Sequence, residues 1–592
     1  MSPFSSSRIV VVLAFFAMFA VQAVCLDADP PPLKWTGDVN DEGFWQHNAR
    51  CKVLFGNFLP DEFNQSLIGA PLYNGVQWLA FSLLGVSFRT ARLFPLVSLW
   101  LILAMLYSLM RRSHPPGRAF LIVATLGLMH ETLMYARWST PIVPEMLFLT
   151  AILFFWDRAQ QGSAWWALMS GMCFVAAAAT KLSSVYFCGA MVLFLCGVYW
   201  LRREADYRRV LLFFGGAVAA AIPLAVFYWL EWEQFRFFSN TIMRINWDKP
   251  VPLHTALYDA LAIFVYDAFQ SPGVSILAIA TTIWLLELVG EIARRGFRPA
   301  LCRLSLAEFY SLCWLVGTLA ALIISPDKRE RRFIMFYVPL TILATSFILR
   351  QISSDRNVQP SHLADDLRRI PRSWRMALWL LLACGWSYYF LGAVQRIAMQ
   401  YFDWRIARAA LTTRLLGVVV CGLVSLPLVL GRTRALAWGL FAAFFSISLV
   451  LNGLWYSSFT FTIRDASRAL RQNVSERMCI VGGFSHILAM ENSGHPIWPP
   501  WRTLCPMNHW FLQQAQSEPF LMMTRIGAAP GELPPDFQDP CPPAVAALAM
   551  EEIQQFTMAP RPLTGKPRGV LTVFRVQPSS AGKRNSGGGE GK

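Results

Sequence analysis

Residues 202–230 read RREADYRRVLLFFGGAVAAAIPLAVFYWL, an arginine cluster followed by an uncharged apolar run from Val210 to Leu230. A helix needs about 20 such residues to cross the hydrocarbon core of a bilayer. The same unit recurs along the first three quarters of the chain. Runs at 9–26, 90–110, 119–134, 144–156, 164–180, 184–200, 272–290, 305–324, 333–349, 375–394, 411–430 and 435–456 predict, with 210–230, about thirteen spans. Alternate connections carry the arginines: Arg111, Arg112 and Arg118; Arg158; Arg202, Arg203, Arg208 and Arg209; Arg294, Arg295, Arg298 and Arg303; Arg350, Arg368, Arg369, Arg372 and Arg375; Arg432 and Arg434. Cationic loops stay on the cytoplasmic side, so this alternation sets the sidedness. Of 592 residues 55% are hydrophobic and 15% charged, against about 25% charged in soluble domains. A soluble enzyme, a disordered scaffold and a one-span receptor are excluded. The expected fold is mainly α and polytopic.

The net charge of +16 is dispersed between spans rather than gathered in one stripe, so it points to membrane lipids and not to nucleic acid. Many of the twelve cysteines lie inside apolar runs (Cys173, Cys188, Cys196, Cys313, Cys384, Cys421) and read as small hydrophobes. No Cys/His group has zinc-site spacing along the chain. Cys479, Cys505 and Cys541 lie in the polar C-terminal part, where an oxidising compartment would permit a disulfide whose pairing the sequence leaves open. Segment 9–26 is a span or a cleaved signal peptide, since Arg8 precedes it and small residues follow near Ala23. In either case residues 27–88, 231–271 and everything after about 457 are external. The domain reading is a transmembrane catalytic domain at 1–456 that includes the loop 27–88, a small external α/β domain at 457–577 and a disordered tail at 578–592. Within the α/β domain, Arg464–Gln472 reads as helix, and 478–483 and 569–576 read as strands.

Ionisable groups next to a bilayer are costly and mark candidate sites. Asp41 and Glu42 open the first external segment, Arg137 and Glu145 flank a later external turn, and Lys181 sits in another. Asp327, Lys328, Arg329, Glu330, Arg331 and Arg332 form an external turn against the positive-inside trend, which suits anion binding. Asp38 or Asn40 would cap a helix with both acids in its first turn, where the macrodipole favours carboxylates. The residues alone leave open whether those acids serve only the dipole.

The stretch Asp41-Glu42-x-x-Trp45-x-x-x-Ala49-Arg50, placed after the first span, resembles the acidic motif of the GT-C glycosyltransferases, in the branch of protein O-mannosyltransferases and lipid A aminoarabinose transferases. Gly56-x-x-x-Pro60, Ala70-Pro71-Leu72 and Leu84-Gly85 with Ala91-Arg92-Leu93 follow the same pattern. So do Tyr135-Ala136-Arg137 with Pro141, Pro144 and Glu145, then Thr180-Lys181, then Lys328-x-Glu330-x-Arg332-Phe333 with Pro339. Two departures are Glu145, where many relatives carry aspartate, and Leu182, where some carry glycine. The acids Asp61-Glu62 lack the motif context and read as loop.

The resemblance implies a GT-C transmembrane fold and an inverting transfer of a sugar from a polyprenyl-phosphate donor to a lipid, glycan or protein acceptor. Asp41 matches the base position, with Glu42 and Glu145 as further catalytic candidates. Arg137, Lys181, Lys328, Arg331 and Arg332 are the candidates for the donor phosphate, for which guanidinium groups are well suited. The sequence requires no cofactor. A divalent cation, if used, would fall to Asp41 and Glu145. The motif 481–492 in the C-terminal part is similar to periplasmic domains of bacterial members, which favours a bacterial inner membrane over the endoplasmic reticulum. The other functional classes are a transporter or flippase of lipid-linked sugars and a surface polysaccharide polymerase or ligase. A transporter would favour broken helices at the membrane midplane in related halves, and no such pair of halves stands out.

Overall fold

A computed structural model describes residues 3–31, 39–58, 66–186, 188–202, 206–239, 252, 254–255, 272–324, 334–352, 371–402, 411–430, 432–476, 478–482, 484–497, 519–526, 550–558 and 569–576. Among the described residues the chain is mainly helical, with one small sheet in its C-terminal part. It divides into two compact units, one of residues 1–24, 95–136 and 141–457, the other of residues 25–94, 137–140 and 458–592.

The first unit is helical. Each apolar run of the sequence falls on helix, the run at 119–134 on two and the run at 184–200 on a short turn at Leu182–Tyr186 followed by Cys188–Gly197. By length and composition, five helices among the described residues can cross a bilayer: Phe88–Met110, Tyr207–Leu230, Pro272–Arg295, Ile334–Ile352 and Thr433–Tyr456. A sixth is added if Pro116–Leu128 and His130–Ala136, bent by 65°, count as one span. Trp165–Thr180 and several others are apolar but shorter.

Between helices the contacts are close where side chains vanish. A methyl group added at Gly171 would stand 1.9 Å from the Phe213 carbonyl oxygen, and one at Gly216 would stand 2.0 Å from that of Leu168. The Trp165–Thr180 and Tyr207–Leu230 helices thus cross backbone to backbone, the approach small residues permit in membranes. Leu211, Val218, Ile222 and Trp229 of the second helix remain exposed, an apolar surface that suits lipid rather than water. At the 65° bend the freed Leu128 carbonyl accepts a hydrogen bond from Asn452 Nδ2 at 2.8 Å. Asn452 Oδ1 in turn lies 2.8 Å from His130 Nδ1, so the break is satisfied from another helix. Arg350 ties three helices together through Glu287 at 3.4 Å and Glu308 at 3.1 Å.

The second unit is assembled from distant parts of the chain. Its sheet has strands β1 (Cys479–Gly482), β2 (His495–Ile497), β3 (Phe520–Ile526), β4 (Met550–Met558) and β5 (Gly569–Val576) in the order β2-β1-β3-β5-β4. β1 is parallel to β2 and β3, whereas β5 is antiparallel to β3 and β4. The amphipathic helix Thr462–Leu470 buries Ile463, Ala466 and Leu470. They share one core with Ile480, Leu521 and Val573 of the sheet and with Ala49, Phe81 and Phe88 of the early segment. This shared core is why residues 25–94 group with the C-terminal part, whereas the sequence reading had placed the loop 27–88 with the spans. Asp29 reinforces the grouping. One of its oxygens accepts from the Thr462 N–H at 2.8 Å and the other from Ile463 N–H at 3.1 Å. A carboxylate from one end of the chain therefore caps a helix near the other.

Candidate active site

Asp41 and Glu42 occupy the first turn of the helix Val39–Phe55. Neighbours on a helix point about 100° apart, and here the two acids have different surroundings. Glu42 is fully buried and grips Arg92 in a bidentate pair, Nε to Oε1 at 2.6 Å and Nη2 to Oε2 at 2.7 Å. The Ser139 N–H donates to Glu42 Oε1 at 3.1 Å. Arg92 spends its remaining donor on the carbonyls of Leu26 at 3.0 Å and Ala28 at 2.5 Å. Such a pair orients the helix end and holds its own charges in balance. Asp41, 6% exposed, stands outside that pair.

A turn further along, Gln46 Nε2 donates to the Tyr73 hydroxyl at 2.5 Å and to the Ser139 carbonyl at 3.0 Å. Ser139 Oγ and Gln77 Nε2 both donate to the Ala91 carbonyl, at 2.6 and 2.8 Å. Burial pushes the Tyr73 phenol well above its ordinary range despite its hydrogen bonds with Ser139, Gln46 and Gln77, so it stays protonated. Asn48 Oδ1 accepts from Ser66 Oγ at 2.6 Å and from the Leu67 N–H at 2.9 Å. Arg50 donates to the carbonyls of Asn492 and Gly494. The Ala91-Arg92 and Ala49-Arg50 pairs noted in the sequence are thus the struts of the acidic helix. Gln46, Tyr73, Gln77 and Ser139 escaped the sequence reading because neutral amides and hydroxyls carry no charge pattern.

Arg137 is 4% exposed, lies over the Phe459 ring at 4.9 Å and donates to the Cys25 carbonyl. Cys25 has φ of +48°, a left-handed conformation that is uncommon outside glycine. Arg137 thus steadies the chain where it enters this unit.

In the helical unit, Glu145 is fully buried in the first turn of Ile142–Gln161. Lys181 Nζ approaches its Oε2 at 3.5 Å, and Ser184 donates to its Oε1. The structure therefore joins two residues that the sequence singled out separately, and adds Ser184. Lys328, Arg331 and Arg332, with the rest of the turn 327–332, lie outside the described residues, as do Asp61, Glu62, Cys505 and Cys541. Asp41 and Glu145, the sequence's candidate cation ligands, belong to different units. Tertiary contact gathers another donor set that spacing did not reveal: His47, Cys51 and His495, whose ligand atoms all lie within 4.8 Å of one another.

A family model described as dolichyl-phosphate-mannose-protein mannosyltransferase matches residues 69–229. No curated protein sequence matches. Among solved structures, ArnT from Cupriavidus metallidurans bound to undecaprenyl phosphate matches with a TM-score of 0.53 and 16% identity, covering 95% of this chain and 97% of that one. The same protein in the apo state matches with a TM-score of 0.51 and 16% identity, covering 97% of this chain and 98% of that one. The chain has the GT-C fold. Within the GT-C fold the likeness runs through the spans and the C-terminal part together, since almost the full length of both chains is aligned.

Proposed function

We propose that the protein is a GT-C membrane glycosyltransferase that moves a sugar from a polyprenyl-phosphate donor to a lipid, glycan or protein acceptor. The observation that carries this reading is the division of labour in the acidic motif. Glu42 is consumed by Arg92, and Asp41 lies one residue earlier in the same helical turn, 6% exposed, on a helix end held from several directions. A full-length GT-C fold supports it. The donor class is carried over from the undecaprenyl phosphate of the ArnT structure.

In the proposed step, Asp41 takes the proton of an acceptor hydroxyl as that oxygen bonds to the anomeric carbon. The bond from that carbon to the phosphate oxygen breaks on the opposite face, and polyprenyl phosphate departs with the electron pair. Displacement of this kind inverts the anomeric configuration. A positioned base contributes about 10²–10⁴-fold. Charge growing on the leaving phosphate calls for cations that strengthen their hold as the bond breaks. Lys181, held by Glu145, is assigned to it, with Arg137, Lys328, Arg331 and Arg332 as further cations. Glu42 is a positioning residue. The reading routes no step through a metal. It places the protein in a bacterial inner membrane with the C-terminal domain in the periplasm.

The test is transfer of label from a polyprenyl-phosphate sugar by the purified protein in detergent, where no sealed compartment exists. Product formation is expected. A transporter or flippase would give none, and absence of product with competent donor and acceptor would overturn the assignment. Arg332→Ala is expected to raise the donor requirement by about 1.5–3 kcal/mol, the size of a charge-assisted hydrogen bond.

A further inference from the structure

We propose that His47, Cys51 and His495 form a metal site of the zinc class. His47 and Cys51 lie four residues apart on the helix Val39–Phe55, so they project from one face, one turn apart. Strand β2 begins with His495. The three side chains are 1%, 0% and 2% exposed. Their donor atoms all lie within 4.8 Å of one another, and Cys51 Sγ is 3.5 Å from His47 Nε2. A tetrahedral zinc ion with Zn–S of about 2.3 Å and Zn–N of about 2.0–2.1 Å sets its ligand atoms roughly 3.3–3.6 Å apart. The donor atoms, within 4.8 Å of one another, reach that spacing by rotation about the side-chain bonds, and three ligands leave the fourth tetrahedral position open. The rings of His47 and His495 meet edge to face at 5.0 Å and 82°.

The donor set selects the metal. One thiolate and two imidazoles suit zinc, whereas magnesium and calcium take oxygen ligands. His486 is buried nearby, its ring centroid 5.7 Å from that of His47, but its Nδ1 lies 3.3 Å from Ser485 Oγ and it stands outside the set of three. The ion would clip the helix that carries Asp41 and Glu42 to the edge strand of the sheet. Residues 47 and 495 are far apart in sequence, so binding free energy would stabilise the folded arrangement of this unit. The site is independent of the glycosyltransferase reading and is tested without any activity measurement.

The experiment uses the full-length protein in detergent with any affinity tag removed, and takes elemental analysis and cobalt substitution as readouts. One zinc per chain is expected after incubation with zinc and desalting. Cobalt(II) added to metal-stripped protein should give a thiolate-to-cobalt charge-transfer band that excess zinc abolishes. Cys51→Ser and His495→Asn are each expected to lower bound zinc at least ten-fold, whereas Cys173→Ser leaves it unchanged. Substoichiometric zinc in the wild-type protein, a cobalt spectrum without the thiolate band, or full zinc retention in Cys51→Ser would each overturn the proposal and make the cluster an ordinary buried His/Cys contact. Where the variants do not fold, the wild-type cobalt spectrum decides alone.

Discussion

Substitution of Asp41 and of Glu42 should fail in different ways. Asp41→Asn keeps the size of the side chain but cannot accept a proton. Yield and melting temperature are expected to stay near those of the parent while turnover drops by about 10²–10⁴. Glu42→Gln leaves the Arg92 guanidinium buried against a neutral amide. Removing one partner of a buried ion pair costs about 3–5 kcal/mol, so its main effect should be a lower melting temperature in detergent. Equal melting temperatures for the two variants would remove the distinction between base and positioning residue. Asp27 provides a third residue-scale expectation. Burial pulls its carboxyl upward, but the hydrogen bond and charge of Arg464, a backbone hydrogen bond and the charge of Arg89 outweigh it and hold the carboxyl below its ordinary value. A depressed carboxylate stabilises the fold fully above the unfolded value near 3.9 and loses that contribution as pH falls through the folded value. Arg464→Met should therefore flatten the dependence of melting temperature on pH in the acid range below about 5. An unchanged slope would show that the Asp27–Arg464 contact at 2.8 Å contributes nothing there.

At the scale of elements, stability rests on places where backbones touch. A methyl group at Gly43 would lie 2.2 Å from the His486 carbonyl carbon, so the helix Val39–Phe55 could not keep its seat on the turn Ser485–Leu488. Gly43→Ala is expected to cost about 1–3 kcal/mol, the usual penalty of overpacking, and to lower turnover because the helix end bearing Asp41 moves with it. Thermal melting and transfer kinetics on one preparation check both. Gly75→Ala is the control, since nothing lies within 4 Å of the added group. Runs of apolar residues located the apolar helices because their length is a local property, though among the described residues only five, or six with the bent pair, are long enough to cross a bilayer. The bend at Met129 was not legible because the amide that satisfies it belongs to Asn452. Strands β3 and β4 escaped notice for a related reason. Their pairing is with β5 and β1, and a short strand without a clean alternation declares itself only through its partners.

The whole molecule is built from two units, and the second draws on three separated stretches of chain. Truncation after residue 457 would strip Ile463, Leu470, Ile480 and Leu521 from the core they share with Ala49, Phe81 and Phe88. The shortened protein is expected to expose that apolar surface and to aggregate on extraction, which size-exclusion chromatography would register. A monodisperse fragment would mean that residues 25–94 fold without the C-terminal part. By itself the sequence determined that the chain is a polytopic helical protein with acids at the start of an early helix, because hydrophobic length and helix capping are read from neighbours along the chain. Only the tertiary structure decided that Glu42 is locked to Arg92, which cation meets Glu145, that the early segment 25–94 shares a core with the C-terminal part, and that His47 and Cys51 meet His495. Those are encounters between residues tens to hundreds of positions apart, and their partners are chosen by packing and by the cost of burying an unmatched charge.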